Sequence, residues 1–279
     1  MRRKTRTEII RAVEALPPLP AVAMRVVQVA QDPVSSAADL AMVVSSDPGL
    51  SASILRAANT VAYRRAQGTT SVQQALVVLG FERARNIAVS SAITSRYAPD
   101  ALNALFRIDA FWRHSIAVAF KAAELARKAR GLDIPTAFTA GILHNMGRLA
   151  MFYADPAAVD QAVAEAMRRE EPFDEVEHEL LGYDHAEVGG LLAEKWGLPQ
   201  AIRDAIVEHH RAGSPDASLA GVVAAADRFC TAHGVLPGYI VPERPQVETP
   251  ADFGLLMAQV DELMMLITHD REGVAPHRE

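Results

Sequence analysis

The sequence predicts an all-α protein. Helix starts marked by a polar cap or a proline recur along the chain, and apolar residues follow them with a 3.6-residue period. No run of five or more residues alternates with β-branched types as a half-buried strand would. Asp47-Pro48 sets a carboxylate N-cap before a proline at the first helical position, and Leu50, Ile54, Leu55 and Ala58 then share one face. Ser71-Val72-Gln73-Gln74 reads as a capping box whose helix Gly80 closes. A long helix is predicted over about 101–130, ending at Gly131, and another from Pro135 toward Leu149. Asp155-Pro156, Pro172, Asp184-His185-Ala186-Glu187 and Leu198-Pro199 each start a further helix.

Two boundaries divide these elements. Ala98-Pro99-Asp100 separates an N-terminal helical subdomain, 1–98, from a second subdomain, 99–233, whose longer helices carry the histidines. Residues 234–252 hold Pro237, Pro242, Pro245 and Pro250, too many for a helix, so 234–279 reads as a tether leading to a last helix. That helix carries Leu255, Leu256, Val260, Leu263, Met264 and Ile267.

With 279 residues, half of them apolar and 22% charged, the composition is that of an ordinary globular protein. The lone Cys230 excludes an internal disulfide, fits a reducing cytoplasm and reads as a small buried filler. No apolar run follows the basic start Met1–Arg6, and no stretch of about 18 apolar residues suggests a membrane span. A cytoplasmic protein is therefore expected. Residues 1–130 carry 18 Lys/Arg against 9 Asp/Glu, whereas 131–279 carry 10 against 25. The basic residues are scattered singly and lack interleaved aromatics, which argues for charge complementarity between the halves or between copies rather than for nucleic acid.

The chemistry-bearing residues are His114, His144, His185, His209, His210 and Asp227. Neutral imidazoles with one carboxylate suit a borderline transition metal, and long gaps suit a site assembled from separate helices. Each residue also has a purely structural reading. His114, sharing its helix with Phe111, Val118 and Leu125, fits a hydrogen-bonded core position. His185 follows the Asp184 cap, and His209-His210 fit a helix end, where imidazolium complements the dipole. His178, His233, His269 and His277 read as surface.

In order, Leu16-Pro17-Pro18-Leu19-Pro20, Ser46-Asp47-Pro48-Gly49-Leu50, Ala58-Asn59-Thr60-Val61-Ala62-Tyr63 and Ala75-Leu76 to Leu79-Gly80 resemble the HDOD domain of bacterial signalling. The similarity continues through Trp112-Arg113-His114-Ser115, Leu143-His144-Asn145-Met146-Gly147-Arg148, His185-Ala186-Glu187-Val188-Gly189, Trp196-Gly197-Leu198-Pro199 and His209-His210. It covers about 14–212, and Asp227 resembles the terminal aspartate of the wider HD hydrolase superfamily. The resemblance implies an all-helical fold, with metal at the histidine and aspartate positions and a candidate role for Asn59 in fixing the interface between the halves. HDOD proteins are regarded as non-catalytic relatives with regulatory roles. The cyclic-dinucleotide phosphodiesterase branch has His-Asp-Ile-Gly-Lys where this chain has His144-Asn145-Met146-Gly147-Arg148, and its Gly-Tyr-Pro signature is replaced here by Arg211-Ala212-Gly213-Ser214-Pro215.

Two divalent ions about 4 Å apart repel by about 17 kcal/mol at an effective dielectric of about 20. A bridging carboxylate offsets part of this, and the neutral amide of Asn145 does not. One divalent ion (iron, manganese, zinc or nickel) on the imidazoles and Asp227 remains compatible. Arg148 keeps a positive charge where the phosphodiesterases have lysine, with a different fork geometry suited to a phosphate. The resulting expectation is a non-catalytic signalling module. Its partner would be a signalling protein, acidic enough to suit the basic first half or linked to cyclic-dinucleotide signalling, with no nucleic acid or membrane. The alternative is a weak metal-dependent phosphohydrolase acting on nucleotides or cyclic dinucleotides.

Overall fold

Side-chain caps fix where seven of the described helices begin. A computed structural model describes residues 10, 13–60, 68–97, 106–129, 131–214, 218–238 and 250–272, and among these it contains fourteen helices and no strand. The chain divides into two compact units, Leu19–Ala98 with Met257–Glu279, and Met1–Pro18 with Pro99–Leu256.

In the first unit, α1 (Ala21–Gln31), α2 (Ala37–Ser45), α3 (Pro48–Ala58) and α4 (Val72–Leu79) are short. They pack around α5 (Phe81–Thr94), whose residues 84–94 are all buried. Asp47 Oδ1 accepts from the Leu50 amide at 2.8 Å, as its Asp-Pro pair predicts. Ser71 Oγ accepts from the Gln74 amide at 3.3 Å, but Gln74 returns its bond to Thr70 rather than to Ser71, so the capping box is displaced by one residue. Gly80, at φ 79°, joins α4 to α5 in a conformation that favours glycine.

Asn59 proves to be an internal staple of this unit. Its Nδ2 donates to Leu55 O and Thr69 O, and its Oδ1 accepts from the Thr69 amide at 2.7 Å, so it joins the end of α3 to the chain leading into α4. Most of α14 (Phe253–Glu272) also belongs here. Arg56 Nη2 donates to Leu266 O, and Arg83 pairs with Glu262. On α14, Leu256, Val260, Leu263 and Ile267 are buried as the stripe predicts, whereas Leu255 is 68% exposed. Of the arginines that make the first half basic, Arg85 is buried and Arg83 is held by Glu262, while Arg64 and Arg65 lie outside the described residues.

The second unit is built on α6 (Ile108–Lys128), which packs against α7 (Ile134–Leu143) and α13 (Leu219–Ala232). The long helix starts at Ile108, later than the 101 expected; Arg107 before it is extended, and its amide donates to Gly238 O at 2.7 Å. Residues 101–105 lie outside the described residues. The single helix expected from Pro135 toward Leu149 is two, α7 and α8 (Met146–Ala154). Asn145 breaks it at φ −98°, ψ 8°, outside helical dihedrals. Then follow α9 (Pro156–Arg169), α10 (Phe173–Leu181), α11 (His185–Lys195) and α12 (Gln200–Glu208), each starting at its predicted signal. Asp155 caps α9, and Asp184 with Glu187 forms the box that opens α11.

Small residues let these helices approach closely. A Cβ on Gly141 would lie 2.6 Å from Ala119 Cα, and one on Gly147 would lie 1.9 Å from His185 O. The second contact presses the start of α8 against the start of α11. Of the tether, 239–249 with Pro242 and Pro245 lies outside the described residues. Cys230 is fully buried, as its filler role predicts, and burial pushes its thiol up to about 12. No described helix is long and apolar enough to cross a membrane.

Candidate metal centre

The break at Asn145, the ends of two other helices and the interiors of two more bring the six residues together. His114 projects from mid-α6, His144 caps the C-terminus of α7, His185 opens α11, His209 and His210 close α12, and Asp227 comes from α13. They fall into two triads. Ligand atoms of His114, His144 and Asp227 lie within 4.8 Å of one another, and so do those of His185, His209 and His210. The triads adjoin: the His209 ring centroid is 5.1 Å from His144 and 5.5 Å from His185. His114, His144, His185 and His209 are at most 1% exposed.

Backbone carbonyls set the tautomers. Val235 O, Gly141 O and Ile206 O lie 2.7 Å from Nδ1 of His114, His144 and His209 respectively. A carbonyl only accepts, so in neutral rings Nδ1 carries the hydrogen and Nε2 keeps its lone pair. This outer-shell arrangement prepares an imidazole to bind metal. All three Nε2 atoms are buried and lack a hydrogen-bond partner among the described residues, as does Asn145 Oδ1. Orphaned buried acceptors are costly unless a cation or proton satisfies them. His114 Nε2 lies 3.1 Å from Asp227 Oδ1, where a lone pair facing a carboxylate is repulsive unless a cation or proton intervenes. The residues therefore fit a divalent cation.

Burial, reinforced by mutual repulsion, holds His144 and His185 well below the ordinary imidazole range, His209 at about 3 and His210 at about 4. The neutral ring is the metal-binding form. Burial alone would raise Asp227, but a hydrogen bond with the adjacent His114 ring, 3.1 Å away, is the main influence holding the carboxyl well below its usual value. Asp227 is 16% exposed at its side chain and His210 23%, so these two face the outside of the cluster.

Arg148 takes a different position from that expected of a phosphate grip. It is 3% exposed; its guanidinium carbon lies 4.6 Å over the Phe173 ring, Nη2 lies 3.2 Å from His185 Nε2, and Nε lies 4.0 Å from Glu177 Oε1. Glu177 is fully buried, and the residue patterns above do not single it out. Its Oε2 accepts the His185 backbone amide at 3.0 Å and meets His185 Nδ1 at 2.5 Å. Burial pushes its carboxyl up to about 8 against the opposing pull of Arg148. A signal does exist: Phe173, Val176, Glu177 and Leu181 occupy the i, i+3, i+4, i+8 stripe of α10, and one of the four is charged. The Val235 carbonyl left no such trace. Of the histidines read as surface, His178 is exposed, but His233 is half-buried between Phe229 and Phe253, with Nδ1 2.7 Å from Phe229 O. The His269 side chain and His277 lie outside the described residues.

Residues 16–212 match the family model of the HDOD domain. Three solved structures share the fold. An HDOD domain protein of unknown function from Geobacter sulfurreducens is 24% identical, with a TM-score of 0.70 over 95% of this chain and 94% of that one. A candidate signal transduction protein from Marinobacter aquaeolei VT8 is 28% identical, with a TM-score of 0.68 over 98% of this chain and 62% of that one. A candidate phosphohydrolase from Shewanella amazonensis SB2B is 27% identical, with a TM-score of 0.67 over 93% and 98%. The chain spans less than half the length of the curated relatives it matches first; one, ribonuclease Y of Geobacter sulfurreducens, is 31% identical over 46% of this chain and 18% of its own.

Proposed function

Because this chain belongs to the HDOD family, we propose that it is a non-catalytic regulatory module of the cytoplasm that keeps a histidine metal centre and acts by binding a signalling protein. The observation that carries this reading is Asn145. It is a buried amide immediately after His144, with an unpartnered Oδ1, and it brings no negative charge to a cluster already rich in neutral donors. The six residues can satisfy one ion through His114, His144 and Asp227, with His185, His209 and His210 as further donors. Bound there, a divalent ion supplies fixed positive charge and Lewis acidity. The protein's own residues orient the imidazoles, exclude water and keep Arg148 turned inward against Phe173 and Glu177, away from any phosphate at the surface.

The test joins elemental analysis of the purified protein to assays with cyclic diguanylate, nucleotides and short RNA, with manganese or iron added. Bound metal without turnover is expected. Copurification should recover an acidic protein whose binding weakens with salt. The second reading, a metal-dependent phosphohydrolase, is favoured by the convergence of all six ligand residues and by the likeness to a candidate phosphohydrolase. Turnover that disappears in both His144→Ala and His185→Ala would establish it instead.

A further inference from the structure

Arg148 brings a fixed positive charge to the imidazole-only half of the cluster. A guanidinium donates hydrogen bonds without accepting any, and it stays charged at any working pH. Its Nη2 lies 3.2 Å from His185 Nε2 and 3.4 Å from His185 Nδ1. Glu177 occupies the Nδ1 side of that ring, so Nε2 is the nitrogen left for a metal. That nitrogen already faces Arg148 and, at 2.8 Å, His210 Nε2. Arg148 is 3% exposed and stacked on Phe173, and its own amide donates to Asn145 O at 3.0 Å. Its charge reaches the whole triad. After burial, Arg148 is among the charges that lower the imidazoles of His185, His209 and His210, whereas His144 and Asp227 answer to one another, to His114 and to His209.

We propose that Arg148 is a built-in cation that closes the His185–His209–His210 side of the cluster to a second metal ion and confines the single divalent ion to His114, His144 and Asp227. This rests on the metal-centre reading above and deepens it by naming what limits the centre to one ion. A metal binds an imidazole nitrogen at about 2 Å, so an ion on His185 Nε2 would stand within about 5 Å of the guanidinium nitrogen. Buried like charges at that separation repel strongly, and this triad has no carboxylate of its own to offset the repulsion. On the other side, Asp227 meets an ion with negative charge. The short segment from His144 to Arg148 therefore sets the count twice. Asn145 withholds an anion, and Arg148, three residues on, supplies a cation.

Cobalt(II), titrated into the metal-stripped full chain against a chelating dye, is the probe, read by stoichiometry and by visible absorption. The wild type should take up one equivalent, and Asp227→Asn should take up none. Arg148→Met should take up two. In this variant Glu177 stays neutral, since burial already pushes its carboxyl up to about 8, so no bare charge is left buried. The second equivalent should bind at least about 100-fold more tightly than any second binding by the wild type, because a divalent and a monovalent cation about 5 Å apart repel by more than that even at an effective dielectric of about 20. It should show an all-nitrogen protein ligand spectrum and vanish when His210→Ala is added. A merely structural role for Arg148 predicts loss of metal, not gain. If Arg148→Met does not fold, as judged by circular dichroism, Asp227→Asn decides. An equivalent retained there on imidazoles alone overturns the inference, and its loss with the fold kept supports it. A wild type that takes two equivalents, an Arg148→Met protein that still takes one, or a second equivalent that survives His210→Ala also overturns it, while the metal centre stands. If the wild type binds no cobalt, both fall together.

Discussion

The two histidine triads differ in where their negative charge resides. His114, His144 and Asp227 carry a carboxylate among the ligands themselves, and each imidazole is anchored by a main-chain carbonyl. His185, His209 and His210 have imidazoles only; on α10, Glu177 meets His185 and Asp174 lies 3.9 Å from His210. One triad resembles a complete ligand set, and the other depends on its surroundings. Asn145 directly follows His144 and brings a neutral amide, with its buried Oδ1 lacking a partner among the described residues. The contrast teaches that one half of the cluster brings a carboxylate of its own, while the other meets carboxylates only from a neighbouring helix.

The largest expected effect comes from breaking the scaffold that both triads share. Gly147→Val places side-chain atoms against the His185 carbonyl and the Gly189 amide, and backbone cannot yield as a flexible side chain does. A loss of about 3 kcal/mol or more is expected, read as a lowered denaturation midpoint together with loss of any bound metal. A variant that melts like the wild type would mean that the two helix starts are less tightly pressed than described.

Asn145→Asp should sharpen the comparison from the opposite side. Restoring an anionic oxygen next to His144 should raise metal affinity by about tenfold or more, at least as much as an outer-shell partner contributes. Metal content by elemental analysis should rise if the remaining ligands are intact, and unchanged content would place Asn145 outside the ligand set.

Protonation separates the imidazoles from Glu177 in the metal-stripped protein. His209 and His210 titrate at about 3 and about 4 when folded but near 6.5 when unfolded, so between pH 6.5 and 4 the unfolded chain binds more protons and stability falls as pH falls. Glu177 acts oppositely. Its folded value of about 8 exceeds the unfolded 4.5, so its contribution is present at low pH and is lost as pH rises through 8. The melting temperature should therefore peak near pH 6.5, and in Glu177→Gln the alkaline decline should flatten. A flat profile on the acid side would contradict burial of the neutral rings.

The smallest effect is expected far from the cluster. Glu165 is bound by Arg168 and Arg169 at the end of α9, which holds its carboxyl down at about 2. This pairing is at the surface, and Glu165→Gln should change the denaturation midpoint little and metal binding not at all. A shift in metal content here would show that the assay reports general stability rather than the triads.

Caps and periods made most of the fold legible: Asp47-Pro48, Asp155-Pro156 and the Asp184 box each begin a helix where local hydrogen bonding demands one. The same local rules misplaced the start of α6 and ran α7 into α8, because the Gly238 carbonyl and the turn at Asn145 belong to distant or packed surroundings. The six clustered residues were legible by type and order alone. By itself the sequence determined an all-helical chain and a neutral, histidine-rich donor set with one aspartate, since residue chemistry and short-range capping do not depend on distant partners. Only the tertiary structure decided that the donors divide into two triads, that Val235 O holds His114, that Arg148 turns inward, and that Glu177 stands behind His185. Backbone carbonyls carry no side-chain signature, and a carboxylate on an apolar stripe acquires a partner only when another helix is packed against it.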